Sequence, residues 1–418
     1  MRFIHAADIH LDSPLTGLSS YADAPVERLR TATRDAFTNL VSLAIDEQVD
    51  FMVIAGDLYD GNWKDYNTGL YFVKEMGRLD KANIPVYLLH GNHDAESEMT
   101  RKLLLPRNVS VFESRKPSSF RLDSLGVVLH GRSFKDAATL ENLAGTYPDA
   151  VPGLINIGVL HTALEGNAMH ATYAPCSLAE LHAKGYDYWA LGHVHEYAMW
   201  RGDSLVVFPG NLQGRHIRET GPRGAVLVES GPSGALEVQR VYVDVLRWHR
   251  LDVDVAGCSN FEDVARTIGL ALEGLVEATT ESIPLAVRVI VSGRTAAHGE
   301  LFSMEAQLRQ EVLASIAALG NDRVWLEKVR LDTHAMDDGQ SLRERADALA
   351  DLQDLLAGAQ DDPVFLKALH ADLCGLLGKV PLELRNAVPH FDDIKGGDLT
   401  ALIGEIRPSL VAHLAKGE

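Results

Sequence analysis

The sequence predicts an α/β protein of more than one domain, and three observations carry that expectation. Short apolar runs alternate with amphipathic helical stretches through roughly the first 240 residues, the pattern of central strands buried on both faces. The alternation restarts near Leu246 and runs to about Leu331. Beyond Asp337-Asp338-Gly339 only helical periodicity remains. A chain of 418 residues also exceeds one ordinary core, so two or three domains are expected.

The first domain is placed at residues 1–243. Its apolar runs are Phe3 to Ala7, Phe51 to Ala55, Pro85 to Leu89, Leu154 to Leu160 and Tyr188 to Leu191. Between the first two, Val26 to Gln48 carries Leu29, Phe37, Leu40, Val41 and Ala44 at helical spacing, which makes a strand, helix, strand unit. Leu205 to Phe208, followed by Pro209-Gly210, and Gly224 to Val228 read as shorter strands that complete the domain. Residues 244–335 form a small second α/β domain. Its predicted strands are Leu251 to Val255, Leu285 to Ser292 and Val324 to Val329. Its helices are Phe261 to Glu277, capped by Ser259 or Asn260, and Met304 to Leu319. Residues 336–418 are helical, with one stripe of Leu342, Ala346, Leu349, Leu352 and Leu355 and another of Phe365, Leu366, Leu369, Leu373 and Leu376. Periodicity leaves two readings of that tail open: packing on its own chain, or an apolar face for a partner helix.

Hydrophobic residues make up 46% and charged residues 23%, which excludes a disordered or fibrous chain. Cys176, Cys258 and Cys374 lie far apart with no C-x-x-C pair, arguing against a disulfide framework or a thiolate zinc site and fitting a reducing cytoplasm. The start of the chain meets Asp8 before an apolar signal region can form, and no run is long enough to span a bilayer, so a cytoplasmic protein without a membrane partner is expected. The net charge of -19 opposes nucleic-acid binding through uniform repulsion. That figure counts metal-binding carboxylates without their cations, and a local basic strip can outweigh a global average.

Each of the five apolar runs ends in residues that bind metal. Asp8-Ile9-His10 follows the first, Gly56-Asp57 the second, Gly91-Asn92-His93-Asp94 the third, His161 the fourth, and Gly192-His193-Val194-His195 the fifth. Ligands of open α/β sheets bind outside the carboxyl ends of the strands, so five segments deliver polar groups to one place. On an extended backbone Asp8 and His10, and likewise His193 and His195, point the same way. Glycines 56, 91 and 192 permit sharp turns and close backbone approach. A lone Asp or His after a strand is a turn residue; all five in order are not explained by turns. Carboxylate, imidazole and amide donors without thiolate suit Mn, Fe or Zn. The candidates are too many for one tetrahedral ion and fit two ions sharing a carboxylate, about 3.5 to 4 Å apart.

The ordered set D-x-H, G-D, G-N-H-D, H, G-H-x-H resembles the signature of calcineurin-like metallophosphoesterases over roughly the first 240 residues. The resemblance implies a four-layer metallophosphoesterase β-sandwich flanked by helices, carrying here a small α/β capping domain and a helical C-terminal tail. It implies two divalent metal ions, most commonly Mn with Fe, Zn or Mg as alternatives. One would be held by Asp8, His10 and His195, the other by Asn92, His161 and His193, with Asp57 bridging. It further implies that His93 contacts the phosphate or protonates the leaving oxygen, and that Asp94 orients that imidazole.

Within that superfamily, Phe3 to Asp12 and Gly56-Asp57-Leu58-Tyr59-Asp60 resemble the SbcD and YhaO type of DNA repair exonuclease. Archaeal and eukaryotic relatives often place a second active-site histidine where this chain has Asp60. The segment Phe208 to Glu219 resembles the YhaO-type enzymes and puts Arg215, His216 and Arg218 where they could meet DNA phosphates, with Glu219 as their local partner. The resemblance thus implies a DNA nuclease, an exonuclease with possible endonuclease action, working as a homodimer with an SMC-like ATPase of the SbcC or YhaN kind. Competing readings are a phosphatase or small-molecule phosphodiesterase and a non-catalytic DNA-tethering subunit. His5 and His90 read as core or supporting residues, His170 and His182 have no motif around them, and Trp63 and Tyr66 could stack on a base or cover a core edge.

Overall fold

In the computed structural model the described residues are 1–15, 26–60, 66–96, 103–136, 138–164, 173–231, 234–279, 283–320, 323–336, 358–359, 362–377, 390–400, 402–403 and 406. Trp63, His170 and the stripe from Leu342 to Leu355 lie outside them. The described chain forms two compact units, one of Met1–His249 with Ile283–Ala286 and one of the remaining residues from Arg250 on.

The first unit is built on two six-stranded sheets. One contains β1 (Arg2–Ala6), β2 (Phe51–Ala55), β3 (Val86–Leu89), β4 (Val109–Val111), β11 (Gly224–Ser230) and β12 (Leu236–Tyr242), in the order β12-β11-β1-β2-β3-β4. The other contains β5 (Ser118–Leu122), β6 (Val127–Gly131), β7 (Ile155–His161), β8 (Tyr188–Gly192), β9 (Ala198–Arg201) and β10 (Leu205–Phe208), in the order β5-β6-β7-β8-β10-β9. The central strands of both sheets run parallel, and antiparallel strands close three of the four edges.

The period of two along β2 sorts its side chains into two cores. Phe51, Val53 and Ala55 enter a cluster with Phe3, Leu89, Leu129, Val159, Tyr188 and Val207, which is the interior between the sheets. Met52 and Ile54 face the other way, toward Phe37, Leu40 and Val41 of α1 (Val26–Asp46) and Phe72, Met76 and Leu79 of α2 (Tyr66–Lys81). On the far side of the second sheet Leu160, Trp189, Leu191 and Phe208 pack with Leu181 of α4 (Leu178–Ala183) and Tyr186. Each such side chain contributes about 1.5–3 kcal/mol over its exposed state. The architecture is therefore the expected helix, sheet, sheet, helix sandwich. One element of the sequence reading changes: β1, β2 and β3 lie in one sheet and β7 and β8 in the other, so the five motif-bearing ends are not the edge of a single open sheet. An apolar run specifies burial, not the sheet it joins.

The second unit carries the three-stranded sheet β13 (Arg247–Asp254), β14 (Leu285–Thr295) and β15 (Val324–Ala335), in that order. Asn260, rather than Ser259, caps α5 (Phe261–Ala278) by accepting the Asp263 N–H at 2.9 Å. The helix expected from Met304 to Leu319 is α7 (Glu305–Ala318), and a short helix that the sequence reading lacks, α6 (His298–Ser303), precedes it, the two parted at Met304 by φ -120° and ψ 26°. In the tail, α8 (Pro363–Leu377) lays Leu366, Leu369, Leu373 and Leu377 on Ile394, Leu399 and Ile403, with Ile394 on α9 (Phe391–Gly396). Among the described residues no helix is long and apolar enough to cross a membrane.

Candidate metal centre

The chain leaving β1 turns at once, and backbone hydrogen bonds decide where its side chains go. Asp8, His10 and Leu11 donate their N–H groups to Gly56, Asp57 and Leu58 carbonyls at 3.0, 3.0 and 2.9 Å, which zips the loop after β1 to the loop after β2. Asp8 and His10 adopt φ of 50° and 45°, and Asp57 and His193 follow with 52° and 100°. These left-handed non-glycine residues replace the extended backbone expected for D-x-H and H-x-H. The two carboxylates and two imidazoles are aimed by a costly conformation, of order 1–3 kcal/mol each, that the surrounding ladder enforces.

Close approach then demands glycine. A Cβ on Gly91 would stand 2.3 Å from Asp57 Oδ1, and one on Gly192 would stand 2.0 Å from the Ala55 carbonyl oxygen. Asn92 and His93 open the short helix α3 (Asn92–Glu96), where the His93 N–H donates to Asp57 Oδ1 at 3.1 Å.

Three groups of side chains converge, each with its ligating atoms within 4.8 Å of one another: Asp8, His10 and His195; Asp57, His161 and His193; and His10, Asp60 and His93. The first gathers three residues of one expected half, and the second gathers His161 and His193 of the other with Asp57, while Asn92 Oδ1 lies 3.0 Å from His161 Nε2. His193 and His195, two residues apart, go to adjacent groups.

The donor chemistry fits cations. The Ala55 carbonyl can only accept, so His161 Nδ1 donates to it at 2.9 Å and presents the lone pair of Nε2 to Asn92 Oδ1 and to Asp57 Oδ2, the latter 3.4 Å away. Acceptors that face one another so closely need a positive charge between them. Glu219 Oε1 likewise accepts from His195 Nδ1 at 2.7 Å, turning the Nε2 lone pair toward His10 Nε2 at 3.1 Å. Two carboxylates and four imidazoles, all buried except the partly exposed His195, thus gather their ligating atoms in two groups, as a pair of divalent ions requires.

Electrostatics without cations report the same crowding. Burial and the Asp57 charge raise Asp8 to about 6, although His195 and His161 oppose the rise. Burial alone would raise Asp57, yet the charges of His161, His10 and His93 draw its carboxyl well below the ordinary range. Burial, with Arg215 nearby, lowers His10 to about 3. His161 is lifted to about 9 because Asp57 and Asp8 outweigh its desolvation, so its Nε2 holds a proton where a cation would sit.

Asp94 departs from the expectation that it orients His93. Among the described residues no hydrogen bond joins the two; the buried Asp94 carboxylate accepts the N–H groups of Leu58, Tyr59 and Gly91 at 3.2, 3.0 and 3.0 Å. It ties the Asp57 loop to the Asn92 loop. Burial and the Asp57 charge raise its pKa to about 7. The carboxylate beside the imidazole is Asp60, whose Oδ1 is 3.7 Å from His93 Nδ1 and 3.5 Å from His10 Nδ1.

Arg215, largely buried, donates Nη1 to Ser13 Oγ at 3.1 Å and stands 3.6 Å from Asp60 Oδ1. His216 is half-buried with Nε2 3.7 Å from Glu219, whereas Arg218 is exposed and is not drawn into the cluster. Glu219 is the residue that sequence reasoning underrated. By sequence a local partner of the basic loop, it is in the fold the carboxylate behind His195, itself held by Asn211 Nδ2 at 2.9 Å and the Arg215 N–H at 2.7 Å. Replacing Glu219 by Gln should weaken metal affinity about 10- to 100-fold, with activity restored by excess metal. Metal titration of the apoprotein measures it; an unchanged affinity would show that His195 needs no such support. Of the remaining histidines, His5 is buried between the Tyr188 hydroxyl and the Leu191 carbonyl, both at 3.0 Å, His90 sits at the end of β3 with its N–H donated to Ser133 Oγ, and His182 pairs with Ser204 Oγ at 2.9 Å. Tyr66 is half-exposed at the start of α2.

A sandwich with such a centre defines a class, and comparison with known proteins agrees: the calcineurin-like phosphoesterase family model matches residues 1–197, and the model described as the middle domain of metallophosphoesterase YhaO matches residues 248–334. The chain belongs to the YhaO group of calcineurin-like metallophosphoesterases. It is 33% identical over 392 residues to the uncharacterized metallophosphoesterase YhaO of Bacillus subtilis, covering 89% of this chain and 92% of that one. It is also 25% identical over 201 residues to the DNA double-strand break repair protein Mre11 of Sulfolobus acidocaldarius, 47% of this chain and 50% of the relative. The Mre11 of Methanopyrus kandleri matches at 26% over 220 residues, 47% of this chain and 44% of the relative, so the chain spans about half the length of these archaeal proteins. The protein is thus a metal-dependent hydrolase of phosphoesters.

Proposed function

We propose that the phosphoester is the backbone of DNA and that the protein is a two-metal nuclease, an exonuclease with possible endonuclease action. The observation that carries the reading is the pair of donor groups, Asp8, His10 and His195 and Asp57, His161 and His193, with the His93 N–H on Asp57 and Arg215 beside Asp60. Asp8, His10 and His195 would hold one ion and Asn92, His161 and His193 the other, with Asp57 shared. When bound, the two ions acidify a shared water and offset charge on the phosphate oxygens. The chain's own groups supply the rest: His93 presents Nε2 to protonate the leaving oxygen, Arg215 offers a guanidinium for a nonbridging oxygen, and Asp94 keeps the two loops in register.

Mn suits this thiolate-free donor set, with Fe, Zn and Mg as alternatives. Similarity to proteins named for DNA double-strand break repair supports DNA as substrate and a repair role. A homodimer working with an SMC-like ATPase is proposed with them on the resemblance of Phe3 to Asp12 and Phe208 to Glu219 alone. Three free cysteines support a cytoplasmic setting. The test is incubation of the purified chain with end-labelled duplex and single-stranded DNA in Mn, Mg or chelator. Cleavage in Mn that chelator abolishes is expected, and product length gives polarity and mode. Turnover of aryl phosphates with DNA left intact would overturn the proposal in favour of a small-molecule phosphodiesterase or phosphatase.

A further inference from the structure

The outer strand of the first sheet, β12, ends on the same side as the metal centre. Both β1 and β12 run antiparallel to β11 between them, so they point the same way, and Tyr242 closes β12 at the end from which Asp8 leaves β1. The register sets His5 opposite Val226 and Val226 opposite Arg240, so Arg240 is level with His5 and two strand spacings, roughly 10 Å, away. Residues directly opposite one another share a face, and Val226 faces the interior between the sheets. On that face of β12, Leu236 and Val238 pack against the interior, and then the pattern changes to Arg240 and Tyr242, both exposed. Tyr197, two residues after His195, meets them from the chain between β8 and β9. The Arg240 guanidinium lies over the Tyr197 ring at 4.4 Å and over the Tyr242 ring at 5.1 Å.

The charge of Arg240 is left over. Nearby, Arg223 and Arg247 are neutralised by Glu196 and Asp244 at 2.6 and 2.8 Å. Arg240 pairs with no carboxylate among the described residues, and one of its five N–H donors reaches the Pro222 carbonyl at 3.4 Å. The ring faces attract its charge without taking up donors. In a chain of net charge -19, an arginine that only covered the end of the core would gain by finding a carboxylate. Resting on the nuclease reading above, we infer that Arg240 is a phosphate-binding subsite for the DNA backbone on the rim of the metal centre. Tyr197 and Tyr242 hold the guanidinium in place, so little of its side-chain freedom remains to be lost when an anion arrives. Its donor fork matches two phosphate oxygens, and such contacts position a strand without reading its bases. The subsite is tied to the ligand His195: Arg223 Nη1 donates to the His195 carbonyl at 2.5 Å, and the next residue, Gly224, is the register partner of Tyr242. A strand whose scissile phosphate sits on the ions is thus gripped at a second phosphate beyond His195.

The test is the affinity of the full chain for fluorescent duplex and single-stranded oligonucleotides, by anisotropy in chelator and by KM for cleavage in Mn, with circular dichroism to confirm the fold of each variant. Arg240→Gln should weaken affinity about tenfold whatever the sequence. It should also lower the slope of log affinity against log salt by about 0.9 on duplex or about 0.7 on single strands. Arg240→Lys should keep the slope and lose part of the affinity, because the charge stays and the fork goes. Arg201→Gln, which removes an exposed cation at the far end of β9 from Tyr197, should do neither. A scan of single methylphosphonate linkages, each lacking one phosphate charge, should find a position at which the loss does not add to that of Arg240→Gln. An unchanged salt slope in Arg240→Gln, an effect no larger than that of Arg201→Gln, or losses that add at every linkage would overturn the subsite and leave the nuclease reading standing. A wild-type chain that neither binds nor cleaves DNA would strike the nuclease reading and the subsite with it.

Discussion

Replacing Asp57 by Asn should strip the protein of bound metal and lower phosphodiester cleavage at least about 10³-fold, or about 4 kcal/mol of transition-state stabilisation. Asp57 is buried, with one oxygen receiving the His93 N–H at 3.1 Å and the other 3.4 Å from His161 Nε2. The charges of His161, His10 and His93 all favour its ionised form. Asn retains the shape and the acceptor for the His93 N–H, so the loop after β3 should keep its path. What it loses is the negative charge in the group of Asp57, His161 and His193, without which a cation there would face His161, His193 and Asn92 with no neutralising anion. Elemental analysis after Mn loading and dialysis, with far-ultraviolet circular dichroism as a check on folding, measures the effect. A folded variant that retains both ions would show that Asp57 does not join the sites.

Much of this centre was legible because its information is local. A run such as Phe51 to Ala55 announces a buried strand by its own composition, and the Asp57 that follows is adjacent in sequence. The phase of Leu29, Phe37, Leu40 and Val41 placed the inner face of α1 in the same way, and they are buried there. Pairings across distance were not legible. Which sheet a run joins depends on partners such as Gly158 opposite Trp189, and no local period encodes that choice. Strand β6, fully buried at Val127–Gly131, is short enough to pass unnoticed between turns. Glu219 lies 24 residues beyond His195, and only the fold reveals that its carboxylate backs that imidazole. Asp94 was legible as a motif residue but not as an acceptor for three amides, because its task is set by the path of two loops rather than by the histidine beside it. The left-handed turns at Asp8 and His10 carried no signal at all: neither residue is glycine, and the ladder to Gly56 and Asp57 imposes the conformation.

Replacing His93 by Asn should reduce cleavage of DNA about 10²- to 10⁴-fold while leaving metal content at the wild-type level. The separation follows from where the imidazole sits. Its backbone N–H is engaged by Asp57, but its ring reaches neither Asp8 and His195 nor Asp57 and His193 in the two groups that would hold the ions. The side chain is 37% exposed, unlike the fully buried His161, as a group that must meet a substrate has to be. With Nδ1 turned inward toward Asp60, Nε2 is the atom left to face a scissile phosphate. Asn preserves polarity at similar reach and cannot deliver a proton, so substrate binding should change little while the bond-breaking step slows. Single-turnover cleavage with enzyme in excess reads that step apart from product release, and elemental analysis of the same preparation reads the ions. A variant that cleaves DNA at the wild-type single-turnover rate would remove His93 from the chemistry and leave the ion-held water to act without a proton donor from the chain.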